Sequence, residues 1–170
     1  LSLDPKLPQD WVARIYGGGD EDYISDLRTQ ISNANLENRI EFKGQVSQSE
    51  IAIQMGRSMA FIHSALWDEP FGRVTMEAMA YGAPLISADS GAVYEIPTDK
   101  CALIYDRFDP TALADKMRLV IENPKLAKRY VEAGLTRYDE CFRPELEAQR
   151  MQSVIEEVLL RGQPSLNTML

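Results

Sequence analysis

A chain of 170 residues is long enough for one domain with a substantial core, since at about this length roughly 68–70% of the unfolded surface is buried on folding. Its 45% hydrophobic, 26% charged and 8% aromatic residues exclude the disordered, collagen-like and low-complexity classes. With 18 Lys and Arg against 26 Asp and Glu, the formal net charge of -8 repels polyanions, so nucleic acid is not expected as a partner.

No apolar run approaches the roughly 20 residues that span a bilayer, and no basic segment leads into an apolar one at the start, so no transmembrane segment is expected. Cys101 and Cys141 stand far apart with no CxxC or His pairing. Neither a disulfide framework nor a zinc site is expected, and a reducing cytoplasmic location is the default. The chain opens on Leu1 rather than Met, and LSLDPKLPQD reads as the frayed end of a longer sequence.

Trp11 to Tyr16 is a short apolar run that stops at Gly17-Gly18-Gly19, the pattern of a buried strand meeting a turn. Asp20 to Asn33 follows as a helix, with Tyr23, Ile24, Leu27 and Ile31 on one face and carboxylates in the first turn, where the helix dipole favours them. Arg39 to Lys43 alternates as a strand before Gly44. Ser47 with Glu50 three residues on marks a helix running to about Gly56 through the capping-box pattern. Met59 to His63 reads as a strand, Ser64 to Pro70 as a loop, and Phe71 to Tyr81 as a helix closed by Gly82. A strand at Pro84 to Ser87, a turn at Asp89-Ser90-Gly91, a short helix around Val93 to Ile96 and a strand at Ala102 to Tyr105 complete the alternation.

Strands separated by helices require right-handed crossovers and a parallel sheet covered on both faces, so the fold class is α/β, doubly wound. From Asp109 the strand pattern ends. Asp109-Pro110-Thr111, Pro124 and Pro144 each open a helix, to about Glu122, Tyr138 and Leu160. The last carries an apolar stripe through Met151, Val154, Ile155 and Val158 that needs a surface to lie on. Residues 163–170 read as a flexible tail after a domain of residues 1–162.

Three local patterns weigh little. A GxGxxG fingerprint after the first strand would need glycine where Asp22 stands, and three carboxylates occupy the helix start that a pyrophosphate would need. Asp20-Glu21-Asp22 spells a DxD pattern, yet acidic residues at helix starts are ordinary caps. No metal or other cofactor is expected. The single histidine, His63, ends the third strand, where ligands bind in open α/β sheets. Site lining and plain packing both remain open for it.

Ser64 to Pro84 is more informative. A strand end leads into a helix start, Phe71-Gly72-Arg73, whose glycine permits close backbone approach and whose free N–H groups can receive phosphate or hydroxyl oxygens. Arg73 adds positive charge there, while Glu69 and Glu77 flank the turn. Carboxylates can each accept from paired sugar hydroxyls.

Glu69-Pro-Phe-Gly-Arg-Val-Thr-Met-Glu77, followed by EAMAxGxP and by Asp89-Ser-Gly91 to Glu95-Ile96, resembles the E-x7-E signature of the group 1 retaining glycosyltransferases of GT-B fold. The resemblance covers roughly residues 11–142. It implies a Rossmann-like C-terminal donor domain with a helical extension, and transfer of a hexose from a nucleoside-diphosphate sugar to an acceptor hydroxyl. Glu77 would then accept from the donor ribose, Glu69 would lie beside the transferred sugar as the catalytic group, and Phe71, Gly72 and Arg73 would border its hydroxyls and the diphosphate. Lys43 and Gly44, with Gln45 and Val46, would border the base. His63, Gly17, Gly91 and Glu95 are further candidates for lining the site.

The resemblance implies no metal and no cofactor. The acceptor, a sugar or lipid-linked glycan of bacterial surface-polysaccharide assembly, would be bound by a separate N-terminal domain, which could also attach the enzyme peripherally to the inner membrane face. That domain, and the family's first donor-domain strand with its Arg and Lys, have no counterpart in this sequence. The expectation is therefore a fragment, inactive alone, with a seam near the middle of its sheet and its final helix docked on the absent domain. Other readings are another GT-B enzyme, such as a sugar-nucleotide epimerase or a phosphorylase, or a non-catalytic nucleotide-sugar-binding module.

Overall fold

The computed structural model describes residues 11–161. The elements run β1 (Ala13–Tyr16), α1 (Glu21–Asn33), β2 (Ile40–Gly44), α2 (Gln48–Arg57), β3 (Phe61–His63), α3 (Arg73–Ala80) and β4 (Leu85–Ala88). A 3-10 turn at Gly91–Tyr94, α4 (Thr98–Cys101), β5 (Ala102–Tyr105), α5 (Pro110–Glu122), α6 (Pro124–Cys141) and α7 (Pro144–Arg161) follow. The alternation is the expected one, and the strand pairings are parallel throughout.

Local chemistry explains the boundaries. Asp20 caps α1, its carboxylate accepting from the amides of Asp22 and Tyr23 at 3.0 and 3.1 Å, so the acidic run serves the helix start. Ser47 caps α2 by accepting from the Glu50 amide at 3.2 Å, while the Glu50 carboxylate takes the Gln54 amide instead of closing a reciprocal box. Asp109 caps α5 ahead of Pro110, and Pro124 and Pro144 stand at the first positions of α6 and α7.

The five strands form two hydrogen-bonded sheets, β1-β2 and β3-β4-β5, rather than one continuous sheet. The three-stranded sheet holds the core. All four residues of β4 are buried, and alternate residues serve opposite layers as the two-residue strand period requires. Leu85 and Ala102 pack with Met55 and Ala78 on one face. Ile86, Ala88, Leu103 and Tyr105 pack with Val120 on the other. A third cluster of Met79, Ile96 and Cys101 closes against α6, and the buried Cys101 behaves there as a small apolar side chain.

The β1-α1-β2 unit differs. None of its strand or helix residues is buried. Its surfaces are held by guanidinium stacking, Arg28 over Phe42 at 4.8 Å and Arg39 over Trp11 at 5.2 Å, contacts worth about 0.5–1 kcal/mol each at exposed sites. No hydrogen-bonded pairing joins β1-β2 to β3-β4-β5 among the described residues. The apolar stripe of α7 also stays open, with Met151, Ile155, Val158, Leu159 and Leu160 exposed. The expected tail at residues 163–170 and the first ten residues lie outside the described part. Among the described residues no helix is long and apolar enough to cross a membrane.

This asymmetry gives a measurable contrast. Ile86→Ala, at a fully buried site, should lower the unfolding free energy by about 2–5 kcal/mol. Ile15→Ala, at a site 39% exposed, should cost less than about 1 kcal/mol. Urea denaturation of the two variants checks the pair.

Candidate functional site

The carboxyl ends of β3 and β4 deliver two loops that meet. The first, residues 64–72, carries Glu69 into α3, and the second, residues 89–91, carries the chain into the 3-10 turn. They touch backbone to backbone: the Ala92 amide donates to the Glu69 carbonyl at 3.1 Å. A side chain at Gly91 would place its Cβ 2.0 Å from that same oxygen, and Gly91 has φ +52°. Only glycine fits, both by space and by conformation.

Gly72 is the N-cap of α3 with φ 72° and offers no side-chain cap. The start is riveted by Thr75, whose amide and hydroxyl both donate to the Gly72 carbonyl at 2.8 and 2.7 Å. The helix therefore begins at Arg73, two residues later than its sequence suggests, because Gly72 takes the left-handed conformation. A Cβ on Gly72 would lie 3.4 Å from the Glu69 Cγ, so the Glu69 side chain folds back against the helix start. One turn in, Glu77 accepts from Arg73 Nε at 3.1 Å. Glu69 thus lies against the start of α3, and Glu77 stands one turn into it. Glu77 is largely covered, at 16% exposed, whereas its Arg73 partner is 73% exposed. Such an open pair is weak and readily exchanged for another partner. Phe71, beside them, is exposed.

Glu69 has its own partner, the Trp67 indole, which donates to Oε2 at 3.0 Å. His63 is half-buried at the end of β3, its Nδ1 3.0 Å from the buried Ser87 hydroxyl. Burial pushes the imidazole below its ordinary 6.5, against the opposing pull of the Glu69 carboxylate. The Ser87 contact is the packing reading of His63, and the Glu69 carboxylate is close enough to act on its charge.

Gly17, Lys43 and Gly44 belong to the other sheet. The Gly17 amide donates to the Gly44 carbonyl at 2.8 Å, and Gly18 faces the Gln45 side chain. Lys43 lies along β2, paired with Glu41 at 2.8 Å. Glu95 is exposed and contributes its backbone carbonyl to Arg137 of α6, which also takes the Ile96 carbonyl. Its carboxylate is thus not what ties that turn down.

Four residues near the two loops escaped the sequence reading. Arg107, just beyond β5, pairs with Asp68 at 2.7 Å and approaches Asp89 at 3.5 Å. Ser87 and Trp67 hold His63 and Glu69 as described. Asp68 and Trp67 lie inside the informative loop, but nothing local in the sequence points to Arg107. Two cavities lie elsewhere. One of about 580 Å³ sits at the α6–α7 junction. The other, of about 360 Å³, opens beside Met59 and Pro84 at the amino ends of β3 and β4.

In this parallel α/β domain Glu69 lies against a left-handed helix start and Glu77 stands one turn into the same helix. The family model for glycosyl transferases group 1 covers residues 2–137, so this chain belongs to that family. It is 34% identical over 129 residues to a phosphatidyl-myo-inositol mannosyltransferase of Mycobacterium leprae, covering 74% of this chain and 33% of the relative. It is 30% identical over 166 residues to the lipopolysaccharide core biosynthesis mannosyltransferase LpsB of Rhizobium meliloti, covering 94% of this chain and 46% of that protein. Anabaena Alr3699/HepE, solved in complex with UDP, superimposes with a TM-score of 0.82 at 24% identity over 89% of this chain and 42% of its own. The chain thus spans a third to a half of the length of these relatives.

Two measurements follow from the geometry. Gly91→Ala should destabilise the fold by about 2 kcal/mol or more, since backbone strain and overpacking add, with thermal melting as the readout. His63, the single histidine, should titrate below 6.5 in an NMR experiment. Because the unfolded chain takes up this proton first, that group's contribution to stability is intact above its unfolded value and declines as the pH falls through its folded one.

Proposed function

We propose that this chain is the donor-binding part of a retaining glycosyltransferase that passes a hexose from a nucleoside-diphosphate sugar to an acceptor hydroxyl. One observation carries the reading: within a chain of the group 1 family, Glu69 lies against the helix start at Gly72, which has no side-chain cap, and Glu77 stands one turn into that helix, paired with Arg73. The relatives' names support hexose transfer, two of them being mannosyltransferases.

In this reading Glu77 accepts from the ribose hydroxyls. Arg73, released from its exposed pair, turns to the diphosphate, together with the backbone amides of the first turn of α3. As the bond to the sugar breaks, negative charge grows on the diphosphate and positive charge on the sugar ring. Amides and a guanidinium aimed at the leaving group then stabilise the transition state more than the bound donor. Glu69 lies on the sugar side, where its carboxylate can exchange the Trp67 indole for a sugar hydroxyl and oppose the developing cation. Lys43, Gly44 and Gln45 border the base from the other sheet. His63 and Gly91 line the floor of the loop pair. A second, acceptor-binding domain would cover the open face, and the acceptor would enter between the two.

Binding of nucleoside diphosphates and their sugars, followed by calorimetry, tests this. Glu77→Ala should weaken both by about ten- to a hundredfold, the loss of a hydrogen bond to a charged group. In the whole protein Glu69→Ala should reduce turnover far more than donor affinity. Equal affinity of wild type and Glu77→Ala for UDP, GDP, ADP and dTDP would remove the ribose assignment.

A further inference from the structure

The loop that carries Glu69 is held at three consecutive residues by three different means. The Trp67 indole donates to the Glu69 carboxylate at 3.0 Å. Asp68 pairs with Arg107 Nη2 at 2.7 Å. The Glu69 carbonyl accepts from Ala92 at 3.1 Å. Of these, only the Asp68 contact reaches β5. Arg107 is itself fixed, because its backbone amide donates to Asp89 Oδ1 at 2.9 Å and its Nε lies 3.5 Å from that oxygen. Its side chain is 19% exposed and that of Asp68 79% exposed, so the bridge anchors a surface carboxylate on a guanidinium that is itself largely covered. Arg107 and the Gly91 amide both draw the Asp68 carboxyl below its usual range, as expected of a carboxylate held in its charged form.

We propose that Arg107 is a positioning residue for Glu69: by bridging Asp68 and Asp89 it fastens the Glu69 loop to the carboxyl ends of β4 and β5. Without the guanidinium, two carboxylates would face each other beneath the loop, and their repulsion would lift it from the 3-10 turn. The Glu69 carboxylate would then leave its place beside Gly72. The consequence for sugar binding rests on the assignment of Glu69 to the sugar in the proposed function, whereas the mechanical claim does not.

The chain contains two tryptophans, so a Trp11→Phe background leaves the Trp67 indole N–H as a single NMR reporter of the Glu69 contact. Its position when that contact is absent is set by Glu69→Ala. In Arg107→Met the indole resonance should move to the Glu69→Ala position, and Arg107→Lys should bring it part of the way back. Asp68→Ala, at a side chain 79% exposed, should produce the same movement without touching β5, and it decides the matter if Arg107→Met fails to fold. An indole resonance that stays at its wild-type position in the folded variants overturns the proposal. A separate titration compares UDP-glucose with UDP and GDP-mannose with GDP. Arg107→Met should lose about tenfold of the preference for the sugar form and bind the free diphosphate as the wild type does. If the wild type binds none of these four and none of the ADP and dTDP forms, the functional reading fails while the indole experiment still decides the role of Arg107.

Discussion

Glu69 is placed by a backbone contact rather than by its own side chain. The Ala92 amide reaches its carbonyl at 3.1 Å, and this approach is possible because position 91 has no Cβ. A loop after β3 and a turn after β4 are thereby pressed together over the carboxyl edge of the buried sheet. The same approach puts Asp68 within reach of Arg107 and leaves the Glu69 side chain against the start of α3. Were the two loops a few ångströms apart, the backbone hydrogen bond from Ala92 to Glu69 would not form, since such bonds span only about 3 Å.

The rigidity that this contact requires comes from the three-stranded sheet. β4 is buried on both faces, and its register against β3 and β5 fixes where Ser87, Asp89 and Gly91 emerge. His63 and Ser87 are directly paired in that register, and for this reason their side chains meet. The β1-α1-β2 unit lacks a buried core of its own and supplies its candidate residues from glycine-bearing strand ends. The well-packed half therefore carries the carboxylates whose geometry matters most, and the loosely packed half carries groups whose proposed contacts are mostly backbone.

The alternation of strands and helices was legible in the sequence because short strand runs stop at glycine, as at Tyr16-Gly17 and Lys43-Gly44, and helices open at proline, as at Asp109-Pro110. The two glutamates were legible because they sit close together in sequence and in a familiar motif. Three features were less accessible. The division into two sheets is a matter of which strand edges meet, and short apolar runs carry no information about edges. The start of α3 was placed too early because the left-handed conformation of Gly72 is a tertiary outcome, riveted by Thr75. Arg107 was invisible because it acts on a loop about 40 residues earlier, and an arginine after a strand is indistinguishable from any solvated cation. Asp20 shows the opposite case: its capping role was readable because helix caps are local.

A net charge of -8 would seem to oppose binding of a diphosphate, yet at roughly 0.1 M salt charges beyond about 10 Å are largely screened. What counts is the local balance. Arg107 offsets part of the charge of Asp68 and Asp89, Arg73 pairs with Glu77, and the Trp67 N–H partly satisfies Glu69. Each carboxylate near the α3 start therefore has a donor in the unliganded protein. In the proposed function, a donor sugar that takes over Glu77 through ribose hydroxyls would free Arg73 at the same moment, beside the α3 start that has no side-chain cap. On the proposed reading, the positive group offered to the diphosphate is stored on the carboxylate offered to the ribose, and one binding event would release both.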